Sequence, residues 1–159
     1  MFVTPVQPPA RGAEPVVTNH PWFPEVRADD VRDAALLDGT VTPARLRDAL
    51  LEALDSVNGE LSDYRAAQEA RGYAKLADVP AERLDGDSVQ CVRYRRAVTA
   101  CVQALVAEAH REIDTSPHNS EKESRVREKL GQKIEEHRRR MRWAISDVLG
   151  VRRTTVELI

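Results

Sequence analysis

Three separate stretches of this chain carry apolar residues at three- and four-residue spacing, and that period commits all three to helices. The first is Leu46, Leu50, Ala53, Leu54, Val57, Leu61 and Tyr64. The second is Cys91, Tyr94, Val98, Cys101, Val102, Leu105, Ala109 and Ile113, and the third Val126, Leu130, Ile134, His137, Met141, Ala144, Ile145 and Val148. Positions i, i+3, i+4 and i+7 of a helix share a ~100° stripe, so each set reads as one buried seam with a solvated back. A half-buried strand would alternate every second residue, and none of these stretches does.

The boundaries follow from end-capping chemistry. Thr42 can accept a backbone hydrogen bond and Pro43 suits the first helical position, so the first long helix is expected to run from there to Gly72. Gly59 lies on its outer face, where it either admits another chain or is merely tolerated. A connection from Tyr73 to Asp87 brings Leu76, Val79 and Leu84 as a lid on one end. Asp87 or Ser88 then caps the second helix, which Thr115 to Asn119 breaks. Ser120 and Glu123 have capping-box spacing for the third, which ends at Leu149 before Gly150. A short helix is expected from Ala28 to Leu37, closed by Asp38 and Gly39.

The expected fold is therefore all-α: an antiparallel bundle of three long helices, each roughly 38 to 44 Å in length, plus a short N-terminal helix. The 159 residues suffice for one domain, and 42% apolar against 31% charged residues is a globular composition. Both ends depart from the helical pattern. Six of the nine prolines lie between Pro5 and Pro24, so residues 1–27 read as an extended arm ahead of a body spanning 28–150. Two placements are open for Pro21-Trp22-Phe23-Pro24: an apolar anchor on a neighbouring subunit, or a staple onto the chain's own domain. Residues 151–159, VRRTTVELI, are rich in β-branched side chains and have strand chemistry with no second strand to pair with. Such a segment either frays or adds itself to the sheet edge of a partner.

Catalytic chemistry is not expected. His20, His110, His118 and His137 lack metal-ligand spacing, and His137 reads as a satisfied core histidine. No Gly-rich phosphate loop or nucleophile motif occurs. Cys91 and Cys101, ten residues apart on one helix, are separated by roughly 15 Å, beyond the ~7 Å reach of a disulfide. They read as small core hydrophobes, and no cofactor or metal is implied. With 24 basic and 26 acidic side chains, the net charge of -2 gives no global attraction to nucleic acid or membrane. No apolar run reaches the roughly 18 residues of a membrane span, and no secretion signal opens the chain. A soluble protein made in the cytoplasm is expected.

One local feature stands out. In Arg138-Arg139-Arg140-Met141-Arg142-Trp143, Met141 faces the seam while Trp143 lies nearly opposite, one turn after Arg139, whose guanidinium can stack on its ring. Arginine beside an exposed Trp is interface composition, which makes Arg139, Arg140 and Trp143 candidate contacts along with Trp22 and Phe23. The same cluster would also serve a small helical DNA-binding or packaging-accessory protein, or simply complement a helix C-terminus.

Five colinear segments give a more specific pointer: Trp22 to Val26, TVTPARLRDAL from Thr40 to Leu50, LADVPAERLDGDS from Leu76 to Ser88, YRRAV from Tyr94 to Val98, and MRWAI from Met141 to Ile145. In order and spacing these resemble the head completion/stabilisation proteins (GPL family), head-tail connectors of peduovirus-type contractile-tailed phages, from about Val16 to Ile159. The resemblance implies a non-enzymatic structural protein of the virion neck, assembled in host cytoplasm. Copies would form a homo-oligomeric ring under the portal protein, matching its twelve-fold symmetry, after DNA packaging. It implies that Val151, Arg152, Arg153, Thr154, Thr155, Val156, Glu157, Leu158 and Ile159 dock on the portal. Tail-terminator or other neck proteins would bind the far side, and packaged DNA would pass the channel without sequence-specific contacts. The stretch before Val16 lies outside the resemblance, and Arg138 to Arg140 are more basic than the family's mixed charges there.

Overall fold

The computed structural model describes residues 14, 16–113 and 121–152. Five helices make up most of this: α1 (Ala28–Ala34), α2 (Pro43–Glu60), α3 (Ser62–Ala70), α4 (Val89–Ile113) and α5 (Glu121–Leu149). A 3-10 turn (Leu76–Asp78) and a two-stranded hairpin, β1 (Arg83–Leu84) with β2 (Asp87–Ser88), lie between α3 and α4. The capping chemistry acts as expected at several ends. The Arg45 amide donates to Thr42 Oγ1 at 3.3 Å and the Gln90 amide to Ser88 Oγ at 3.3 Å, while Gly72 and Gly150 take the left-handed conformation that closes a helix.

The expected first long helix is two. It breaks at Leu61, whose side chain is buried, between Gly59 and Ser62. Glycine lowers helix propensity and serine competes for backbone hydrogen bonds, so this is where bending costs least. Past this break Tyr64 packs against the core, with its hydroxyl 3.3 Å from Gln90 Nε2. α1 is also shorter than expected. It stops at Ala34 because Leu36 takes φ +53°, and the Leu36 and Leu37 amides bond back to Asp33 O and Arg32 O in a Schellman closure built without glycine.

Between Arg83 and Ser88 the chain is not helical. Asp85 and Gly86, both at positive φ, form a two-residue turn with Arg83 paired to Ser88 and Leu84 to Asp87. Of the three residues expected to form a lid, Leu76 and Val79 are buried, but Leu84 is 51% exposed on this hairpin.

α4 is the central element. It runs antiparallel to both α2 and α5, which scarcely touch each other. Its face toward α2 is tied by Tyr94, whose hydroxyl donates to Asn58 Oδ1 at 2.6 Å. On the α5 side, Gln90 Nε2 and Arg93 Nη1 donate to Val148 O (3.2 Å) and Asp147 O (3.1 Å). The core therefore gathers Leu46, Leu50, Leu54 and Val57 from α2, Val98 and Val102 from α4, and Ile145 and Val148 from α5. The α5 seam fades toward its start, where Val126 is 52% exposed.

The N-terminal stretch packs onto the helices. Val17, Trp22, Phe23 and Val26 all belong to the same core. The Asn19 amide nitrogen donates to Pro24 O and to the Tyr94 hydroxyl, each at 2.9 Å, and Asn58 Nδ2 donates to Asn19 Oδ1 at 3.0 Å. Farther back, Glu14 makes a buried ion pair with Arg32, which also donates to Asp38 O at 3.1 Å.

Candidate partner interface

Of the five residues expected to meet a partner, Trp22 and Phe23 are buried in the chain's own core. Trp22 is 2% exposed, its indole N–H donates to Tyr73 O at 3.1 Å, and its carbonyl accepts from the Leu76 amide at 2.9 Å. Phe23 meets Trp22 edge-on (5.0 Å, 90°) and stacks on Tyr94 (4.8 Å, 12°). Of the two open placements, the staple onto the chain's own domain is the one observed: these rings fill the space above α3 and α4 and have no surface left for a neighbour.

The other three lie together on α5. Helical spacing places Arg139 one turn before Trp143, and its guanidinium carbon sits 5.2 Å from the ring centroid, within cation-π range. Arg140 pairs with Glu136 one turn back, and Arg138 crosses to α4, with Nε 2.8 Å from Glu108 Oε1. That pairing holds the Arg138 guanidinium more firmly charged than usual. Two of the four arginines are thus neutralised within the molecule. Arg139 and Arg142 remain exposed just before half-buried Trp143.

Trp143 also walls an open groove of about 620 Å³ between α4, α5 and the end of α1, with Arg95, Arg96 and Arg140 among its lining residues. Arg95 pairs with Asp87, whose carboxyl is lowered chiefly by that hydrogen bond. The hairpin is in this way fastened to the groove's edge.

The C-terminal docking segment falls mostly outside the described residues. Val151 and Arg152 are exposed, and Arg153 to Ile159 lie beyond what the structure describes. What is described is the point where the segment leaves. The Val151 amide bonds to Ser146 O at 3.0 Å over Gly150, and the Gln90 and Arg93 donors hold the last carbonyls of α5.

The remaining chemistry is structural. Burial pushes the Cys101 thiol up to about 11 and the Tyr94 hydroxyl up to about 12, and it raises Cys91 as well, so none of the three is poised as a nucleophile. Contrary to the expected satisfied core histidine, His137 is half-buried with Nδ1 unpartnered, and burial lowers its pKa. Among the described residues no three His, Cys, Asp or Glu side chains converge as metal ligands would, and no helix is long and apolar enough to cross a membrane.

Comparison with known proteins returns one consistent pointer. The family described as phage head completion protein (GPL) matches residues 17–159. The head completion/stabilization protein of Escherichia phage P2 is 38% identical over 156 residues, covering 98% of this chain and 90% of the relative. That alignment therefore takes in most of the stretch before Val16 as well. No solved structure gives a significant match.

Proposed function

Because this chain belongs to the phage head completion protein (GPL) family, we propose that copies of it assemble as a ring under the portal protein after DNA packaging, stabilise the filled head and present the tail's attachment surface. Its role in the virion is structural, in head completion. The observation that carries the reading is the extent of the family match, which runs through the whole helical body and on to Ile159.

The portal contact is assigned to Val151 to Ile159. Extended β-branched residues bind most economically by adding a strand to a sheet edge, where main-chain hydrogen bonds give affinity and alternate side chains give register. The capped end of α5 gives that segment a fixed point of departure, which lowers the ordering cost of docking it. On the other face, tail-terminator or other neck proteins meet the ring, and packaged DNA passes its channel. The protein belongs to the neck, between head and tail.

Truncation after Gly150 tests this. The shortened chain is expected to keep its helical circular dichroism and melt within about 0.5 kcal/mol of the parent, yet fail to join portal-bearing filled heads. A truncated chain that still joined them would overturn the assignment of the docking segment.

A further inference from the structure

The ring reading leaves open which faces of adjacent copies meet. Charge is distributed unevenly over the helices. From Pro43 to Ala70 there are six acidic residues against three basic, whereas from Ser124 to Leu149 there are eight basic against four acidic. α2 and α5 both pack on α4 and scarcely touch each other, so the two signs sit on separate surfaces. A molecule with one acidic and one basic side favours head-to-tail contact with its own kind over a self-facing dimer, which would oppose like charges.

The two faces also match in detail. On the outer surface of α2, Asp48, Glu52 and Asp55 follow at four- and three-residue intervals, and Leu51, 39% exposed, sits among them. Leu51 is an apolar point with carboxylates along one side, and Arg47, paired with Asp48, one turn back on the other. On the outer surface of α5 the sign is inverted: Trp143 follows two exposed arginines, Arg142 one residue before it and Arg139 one turn before it and stacked on its ring. One face thus offers an indole beside guanidinium groups, the other a leucine beside a row of carboxylates in which Glu52 and Asp55 lie beyond the Arg47–Asp48 pair.

We propose that in the assembled ring the α5 face centred on Trp143 of one copy seats against the α2 face centred on Leu51 of the next. This rests on the ring reading above and adds its contact surfaces. The contact is heterologous: every copy uses both faces, and a repeated rotation closes the ring.

Charge reversal on each side separately, then together, tests the pairing on portal-bearing filled heads. Arg139→Glu with Arg142→Glu, and Asp48→Lys with Asp55→Lys, each oppose like charges at every contact. Each pair is expected to raise the protein concentration needed for ring formation about tenfold or more. All four substitutions in one chain restore complementarity and are expected to return assembly to near the parent's level. All four sites are exposed, so unchanged melting curves verify that the variants fold. A second arm uses cysteines: Leu51→Cys with Trp143→Cys in one chain should yield a ladder of cross-linked copies, and either substitution alone should yield none. Rings that form equally well with either reversal would overturn the pairing while leaving the ring intact. If the parent itself never forms a ring on such heads, both the ring reading and the pairing fall.

Discussion

Replacing Trp22 with alanine separates the two placements that the Pro-rich segment allows. In the structure Trp22 is buried, bonded through its indole to Tyr73 O and in edge contact with both Phe23 and Tyr64. Emptying such a site costs roughly 3–5 kcal/mol in lost transfer energy and residual cavity. The lost hydrogen bond adds about 1 kcal/mol. Part of the aromatic contact is already in the first figure, so a loss of about 4–5 kcal/mol is expected, a large share of the roughly 5–15 kcal/mol that holds a domain of this size. With a urea slope of about 2 kcal/mol per molar, the midpoint should fall by about 2 M. Far-UV circular dichroism in urea measures this directly. The control is Trp143→Ala, a half-buried site, which should cost less than about 1 kcal/mol. A Trp22→Ala protein as stable as its parent but unable to assemble would refute the reasoning, since the ring would then be anchoring a neighbour.

Three further outcomes are expected. Leu36→Gly should raise stability by about 1 kcal/mol in a urea titration, because glycine relieves the left-handed strain and the leucine side chain, 89% exposed, loses little packing. Tyr94→Phe should lower it by about 1–3 kcal/mol by leaving the Asn19 and Asn58 amides short of a partner, and Asn58→Ala in that background should add less than it does alone. Stability should decline as pH rises above about 9. Cys101 and Tyr94 hold their protons to about 11 and about 12 in the folded chain, above the ordinary 9.0 and 10.0 of the unfolded one. Between those values the unfolded state releases protons that the native state keeps, and the balance shifts toward unfolding. Thermal melts across pH 8 to 11 should show the decline, and Cys101→Ala should reduce its earliest part, leaving the contribution of Cys91.

The helices were legible because their seams repeat. α2, α4 and α5 sit where Leu46 to Val57, Cys91 to Val102 and Ile134 to Val148 place them, and the Arg139–Trp143 stack follows from spacing alone. What escaped the pattern were features set by backbone dihedrals. The early end of α1 depends on a leucine in a conformation normally left to glycine, which no composition rule signals. The kink at Leu61 interrupts a seam that continues through it without a missed step. The Asp85-Gly86 dipeptide did carry a hairpin signal, but its strands are two residues long and lack alternation, so nothing beside it drew attention. The Trp22 site was visible as an apolar cluster; only its address, on the chain's own core, required tertiary structure.

The network of Asn19, Tyr94 and Asn58, together with the buried indole of Trp22, makes the two ends of the body mechanically unlike. Tension applied through the N-terminal side must shear a buried ring and several hydrogen bonds at once before any helix yields. Tension applied past Gly150 meets the last turn of α5, where the bonds from Gln90 and Arg93 must break before the helix can unwind turn by turn. A head completion protein so built resists being dragged by its N-terminal side and gives way in steps at its C-terminal one.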